Sequence, residues 1–415
     1  MTAPVDDSAR PGARPWRAQR RADLLRFLTG ARHPLGFGYL RGDGTLDGTR
    51  PVELWITCRM THVAALGLLA GEAPAPGGPS AAELGELVAH GVASLLGPLR
   101  DPEQDGWFAA IDGSGPVVAT KQAYGHSFVV LAASSAVATG APGAAALLDS
   151  ALDVSESRFW DDAAGLALEE WDRTWTTLDG YRGVNANMHT VEAYLAAGDV
   201  SGDRVWHQRA ARIAAHVVGW ASANDWRIPE HFDADWRPLL EHHREQPADQ
   251  FRPYGATIGH ALEWARLLLA VDATLGDDAP AGLRAAALAL YDRAVSDGWA
   301  ADGEDGFVYT TDWAGVPVVR QRMHWVLAEA VGAAEALRKV TDEPRYAHDL
   351  ERWWAFADRH LIDREGGSWQ HELDPENHPA DTVWPGKPDV YHAYQALLIE
   401  DVPLVPSFAA ALSEG

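Results

Sequence analysis

The stretch His260-Ala261-Leu262-Glu263-Trp264-Ala265-Arg266-Leu267-Leu268-Leu269-Ala270-Val271 is apolar or small on nearly every side, the composition of a helix buried all round. Ser127 to Ala136 and Trp325 to Ala336 have the same character. Histidines stand at the start of such runs at near-even intervals: His62, His126, His189, His260, His324 and His392 are separated by 64, 63, 71, 64 and 68 residues. Between them lie amphipathic runs. One example is Trp206, Ala210, Ile213 and Val217, spaced i, i+4, i+7, i+11, with Arg204, Gln208, Arg209 and Arg212 on other faces. This period predicts a helical hairpin repeated six times, apolar helices inside and amphipathic ones outside. The expected fold is all-α, an (α/α)6 barrel. About twelve helices start near Trp16, Cys58, Ala81, Tyr124, Gly143, Asn187, Asp203, Thr257, Gly282, Met323, Pro344 and Val390. Residues 1–14 read as a flexible N-terminal tail, 15–403 as one catalytic domain and 404–415 as a C-terminal tail.

Composition narrows the function. The 415 residues exceed the roughly 250 to 300 that one ordinary core accommodates, which a closed repeat barrel resolves. A formal charge of −25 opposes nucleic acid and anionic membranes as partners. Met1 to Arg21 carries no apolar signal region, and no run of about 18 apolar residues exists, so the expected location is the cytoplasm. Cys58, the lone cysteine, excludes an intrachain disulfide.

Turn signals flanked by β-branched residues, in Ile111 to Val117 and Val308 to Val319, predict short hairpins lining the barrel mouth. Asn224 to Pro253, with Trp226, Trp236, His242 and His243, is too long for an ordinary connection and reads as a lid or subsite wall. Several of the 18 tryptophans sit in loops with Gly and Asp, at Trp107, Trp299 and Trp384, where an aromatic face beside polar groups suits a sugar. Others are expected to fill space between helices.

The densest chemistry is Phe251 to Trp264. His260 and Glu263, three apart on a helix, share a face, so a carboxylate can fix the tautomer of an imidazole and raise its basicity. Arg59 begins another apolar helix and buries a guanidinium that needs an oxygen-rich partner. Asn185 and His189 repeat the logic at i, i+4, and His392 closes the circuit on the last inner helix. No H-x-H or H-E-x-x-H spacing supports a metal site, and His242 and His243 are expected to point in different directions.

These motifs resemble the N-acylglucosamine 2-epimerase superfamily, within it the mannose isomerase and sulfoquinovose isomerase branch. The resemblance rests on Trp55-x-x-x-Arg59-Met60, Asn185-x-Asn187-Met188-His189, Arg252-Pro253-Tyr254-Gly255 through His260-x-x-Glu263-Trp264, His324-Trp325, and Trp384-Pro385-Gly386-Lys387-Pro388-Asp389-Val390-Tyr391-His392, and spans Trp16 to Leu398. It implies an (α/α)6 barrel that interconverts aldoses and ketoses, or C2 epimers, without metal or nicotinamide cofactor. It further implies His260 and His392 as the acid/base pair, Glu263 as partner of His260, and Arg59 as the group binding the substrate oxygen. Trp55, Tyr124, Asn185, His189, Trp325, Trp384 and the His371 neighbourhood (Gln370, Glu372) are implied substrate contacts.

The chemistry is coherent with that resemblance. Removing the weakly acidic C2 hydrogen of an open-chain aldose needs a base and stabilisation of charge moving to the carbonyl oxygen, roles a histidine and Arg59 can fill. Returning the proton to C1 gives a ketose; returning it to the other face of C2 gives the epimer. The expected activity is interconversion of D-mannose and D-fructose, or D-lyxose and D-xylulose, on a free monosaccharide by a monomer or homodimer. A 2-epimerase of N-acylglucosamine or cellobiose and a sulfoquinovose isomerase are the near alternatives. A glycoside hydrolase would need two carboxylates about 5 to 10 Å apart, where the repeat offers mostly histidines. A non-catalytic sugar binder would bury the same polar groups at a cost in stability.

Overall fold

The computed structural model describes residues 10–71, 74 and 76–414. Among them lie thirteen helices: α1 (Arg14–Thr29), α2 (Leu54–Leu69), α3 (Ala81–Leu96), α4 (Ala123–Ala138), α5 (Ala144–Val154), α6 (Val184–Ser201), α7 (Arg204–Ala223), α8 (Ile258–Leu275), α9 (Leu283–Gly298), α10 (His324–Val340), α11 (Arg345–Phe356), α12 (Tyr391–Leu398) and α13 (Phe408–Ser413). The even-numbered helices are buried nearly all round and form the inner ring: α2 packs on α4, α4 on α6, α6 on α8, α8 on α10, α10 on α12, and α12 back on α2. The amphipathic odd helices α1 to α11 pack outside them. The expected (α/α)6 barrel is the observed one.

The two rings begin differently. Outer helices are capped locally where the sequence supplies a cap, as in the Ser80–Glu83 capping box of α3 and the Asp203 side chain on the Val205 amide of α7. Of the six inner helices, α12 begins with the Tyr391 amide donating to the Asp389 carboxylate at 2.9 Å, and the other five have no side-chain cap. The first N–H of each of these five instead donates to a loop carbonyl: Leu54 to Ala109, Ala123 to Glu169, Val184 to Glu230, Ile258 to Tyr309 and His324 to His371, at 2.8–3.2 Å. Two-residue strands make this register. Val52–Glu53, Lys121–Gln122, Arg182–Gly183, Ala256–Thr257 and Arg322–Met323 each lead into an inner helix. They pair antiparallel with Ala110–Asp112, Glu170–Trp171, His231–Phe232, Thr310–Thr311 and Glu372–Leu373, which follow the next outer helix. The rim of the mouth is thereby laced together repeat by repeat, and the expected hairpins appear at Ala110 to Val118 and Thr310 to Val319.

The segment read as a C-terminal tail carries α13, which packs on α2, α4 and α6 at the end opposite the mouth. Most of the segment read as an N-terminal tail, residues 1–9, lies outside the described residues. No described helix is long and apolar enough to cross a membrane.

Candidate active site

Positions i, i+4 and i+7 share one face of a helix, so the second, sixth and ninth residues of each inner helix face the barrel axis in three stacked rings. The second residues are Trp55, Tyr124, Asn185, Gly259, Trp325 and His392. The sixth are Arg59, Phe128, His189, Glu263, Glu329 and Ala396. The ninth are His62, Leu131, Glu192, Arg266, Gly332 and, just past α12, Ile399. The six evenly spaced histidines therefore do not share a phase: their even spacing records the repeat length only. His62 lies in the lowest ring, its Nδ1 donating to Ser135 Oγ at 2.7 Å and its Nε2 accepting from Gln395. His126 faces the outer loops, taking the Trp107 amide at 3.1 Å and donating to the Gln122 carbonyl at 2.7 Å. The other four converge.

They line a chamber of about 600 Å3 with Arg59, Tyr124, Asn185, Gln250, Phe251, Glu263, Tyr309, Trp325, His371, Trp384, Pro388 and Asp389. Ten of the eleven expected site residues are thus in one wall; the eleventh, Trp55, lines an outer vestibule that shares Tyr124, Asn185 and Phe251 with the chamber. Phe251, from the long α7–α8 connection, meets Trp55, Tyr124 and Trp384 edge-on with centroids at 6.3, 6.0 and 5.2 Å, so this connection is a chamber wall. Of the three loop tryptophans, only Trp384 reaches the chamber; Trp107 is fully buried and Trp299 packs on Trp353. His242 and His243 do not diverge but stack at 4.1 Å. A further cavity of about 700 Å3 under the rings, roofed by His62, Glu192 and Arg266 and floored by Pro403 to Ala409, is mostly apolar.

Each candidate acid/base imidazole has a buried carboxylate behind it. His260 Nδ1 donates to Glu230 Oε2 at 3.0 Å, and His392 Nδ1 to Glu329 Oε1 at 2.8 Å. An ionised carboxylate only accepts, so Nδ1 carries the proton and Nε2 is left with a lone pair for the chamber. Trp325 leans on both rings, 5.2 Å from His260 and 5.6 Å from His392. The expected His260–Glu263 pair does not form. Glu263, on the axis one residue out of phase with His260, instead approaches His189 at 3.8 Å and Arg266 at 3.7 Å. Glu230 does the work assigned to it.

Electrostatics follow from burial. Arg59 donates to Asp389 and to the Tyr124 hydroxyl, both at 3.0 Å, beneath the rings of Phe128, Tyr391 and Trp55. Burial alone would raise Asp389, but the guanidinium holds it below the usual carboxylate range. Burial lowers His189 and His324 to about 4, and His371 and His392 well below the ordinary imidazole, favouring neutral rings. Burial, then Glu329, pushes Glu263 well above the usual range and favours the neutral acid. His189, Glu192 and Glu263, and likewise Glu263, Glu329 and His392, bring oxygen and nitrogen atoms within 4.8 Å of one another. Arg266 already supplies a positive charge beside both groups.

Several buried polar atoms in this wall have no hydrogen-bond partner: Asn185 Oδ1, His324 Nε2, Arg59 Nε and both Glu263 oxygens. A small polyol would satisfy such atoms, and the two imidazoles offer it proton transfer.

A sequence profile of the family described as N-acylglucosamine 2-epimerase (GlcNAc 2-epimerase) matches residues 36–396. A D-mannose isomerase of Thermobifida fusca is 49% identical over 98% of both chains, and one of Pseudomonas cannabina pv. alisalensis is 44% identical over 97% of this chain and 96% of the relative. A crystal structure of a D-mannose isomerase superposes with a TM-score of 0.85 at 27% identity, covering 96% of this chain and 99% of that one. With the barrel and its ring of imidazoles, these matches establish that the chain belongs to the N-acylglucosamine 2-epimerase family.

Proposed function

We propose that the protein is an aldose–ketose isomerase interconverting D-mannose and D-fructose, with His260 and His392 as its acid–base pair. The observation that carries this is the paired arrangement of two imidazoles, each tethered at Nδ1 to its own buried carboxylate, in one chamber with Arg59. The two relatives named D-mannose isomerase support the choice of sugar.

The reaction begins by opening the sugar ring, which needs an acid and a base on the ring oxygen and the anomeric hydroxyl. One Nε2 lone pair then takes the C2 hydrogen as a proton. The C2–H electrons form the C1–C2 double bond, and the carbonyl pair moves onto O1 as an enediolate, where the Arg59 guanidinium stabilises the charge. The O2 hydroxyl then gives up its proton and O1 takes one, a relay the second imidazole can carry; the O2 electron pair forms the C2 carbonyl as the C1–C2 double-bond pair takes the abstracted proton back at C1, which gives the ketose. Trp55, Trp325 and Trp384 offer aromatic faces to the sugar. Tyr124, Asn185, His189 and His371 offer hydrogen bonds to its hydroxyls, and Glu263, as a neutral acid, can donate one as well. The same reading has the enzyme working in the cytoplasm on a free monosaccharide, as a monomer or homodimer.

Proton NMR of the protein with mannose in D2O tests this. Fructose carrying deuterium is the expected product; glucose alone would move the chain to the epimerases. His260→Ala and His392→Ala should each abolish turnover in a folded protein, and retained activity would remove that residue from the acid–base pair.

A further inference from the structure

The lowest axial ring holds a cation that the chamber never sees. Arg266, ninth in α8, is buried and absent from the chamber wall, so it cannot touch a sugar there. Its Nε donates to Glu329 Oε2 at 3.3 Å, its Nη2 stands 3.2 Å from the same oxygen, and Glu263 Oε1 is 3.7 Å away. The other Glu329 oxygen receives His392 Nδ1. The seat is cut to fit: at the matching ninth position of α10 stands Gly332, where a Cβ would lie 3.2 Å from Arg266 Cδ and 3.4 Å from its Nε.

We infer that Arg266 is a positioning residue for the isomerisation, keeping the Nε2 of His392 bare and facing the chamber by holding Glu329 as a carboxylate. The inference rests on the reading of His392 as an acid–base residue. Glu329 faces Arg266 and Glu263 from α8, Glu192 and His189 from α6, and His392 from α12. His392 in turn faces Arg59, Asp389, His189, His324 and His371, with Tyr391 beside it. Among the charged groups facing Glu329, Arg266 is the permanent cation. Burial pushes Glu329 up, Glu192 adds to that, and Arg266 opposes both. A protonated Glu329 would donate its O–H to Nδ1, move the imidazole proton to Nε2, and leave no lone pair to take the C2 hydrogen.

The test measures kcat and KM for mannose from about pH 5.5 to about pH 9.5 in wild type, Arg266→Met and Arg266→Lys. In Arg266→Met, the acid limb of kcat should move up past neutrality, to about pH 8 or above, so that kcat at about pH 7 falls at least about 10-fold and recovers on alkalinisation, with KM little changed. Arg266→Lys keeps the charge and should keep the limb near its wild-type position. A fall in kcat with an unshifted profile would mean a merely structural role and would overturn the inference. Nitrogen NMR of His392 in the wild-type protein, assigned by loss of its signal in His392→Gln, needs no Arg266 variant. The Nδ1–H tautomer at neutral pH is expected, and the Nε2–H tautomer overturns the inference. Activity retained in His392→Gln would sink the acid–base reading itself, whereas a dead His392→Gln with an unshifted Arg266→Met profile sinks only this inference.

Discussion

Gly259 occupies the axial position at which α8 omits a side chain, and the geometry there sets the effect of adding one. A Cβ at residue 259 would lie 2.2, 2.6 and 2.9 Å from Cζ3, Cη2 and Cε3 of Trp325. Carbon–carbon contacts are comfortable from about 3.5 Å, so the indole must retreat by roughly 1.3 Å in Gly259→Ala. Its one open side is the chamber itself: His260 and His392 flank it, and Tyr309 meets it edge-on at 5.8 Å. Overpacking of this kind costs about 1–3 kcal/mol of stability. Because the displaced ring leans on both proposed acid–base imidazoles, a shift of about 1 Å should lower kcat/KM on the order of 100-fold. The assay is fructose formation from mannose beside a denaturation curve. Gly259→Ala combined with Trp325→Phe, which deletes the three clashing atoms, should regain the stability but not the activity. A Gly259→Ala protein with wild-type stability and kcat/KM within about threefold of wild type would refute the role given to Trp325 as the spacer of the pair.

Two further outcomes follow from the same wall. Glu230→Gln replaces a charge-assisted hydrogen bond to His260 by a neutral one, worth about 1–2 kcal/mol less, so kcat should drop about 5- to 30-fold at unchanged KM; steady-state kinetics showing no loss would detach Glu230 from catalysis. His126, lowered by burial to about 3 from 6.5, is neutral in the fold because its Nε2 accepts the Trp107 amide. Its folded pKa is depressed, so its contribution is present above 6.5 and is lost as pH falls toward 3. The destabilisation caused by His126→Gln, read from urea curves, should therefore be greatest at neutral pH and shrink by up to about 1.4 kcal/mol per pH unit on acidification. A difference independent of pH would contradict that assignment.

Helix type and number were legible because they depend on local pattern. A run apolar on nearly every side, such as His260 to Val271, can only be an inner helix, and a one-sided run such as Trp206 to Val217 only an outer one. The axial stripes were legible too, since i, i+4 pairs such as Trp55/Arg59 and Asn185/His189 follow from helix geometry alone. What escaped was everything fixed by the loop register. Glu263 looked like the partner of His260 because the two are three apart on one helix. The true partner, Glu230, comes from a loop thirty residues earlier, and its place depends on its carbonyl accepting the first N–H of α6.

That register does leave a trace. The five residues whose carbonyls take an inner helix's first N–H are Ala109, Glu169, Glu230, Tyr309 and His371. Each stands three residues before an aspartate: Asp112, Asp172, Asp233, Asp312 and Asp374. Each of those aspartates turns the chain by accepting the backbone N–H of a residue two or four positions on. Since the turn sets where the strand ends, it also sets which residue is delivered to the mouth. Tyr309 and His371 reach the chamber this way, Glu169 the vestibule, and Glu230 the back of His260. The aspartate turn is the ruler of each repeat, and the side chain three residues before it is where one repeat can differ chemically from the next without disturbing the barrel.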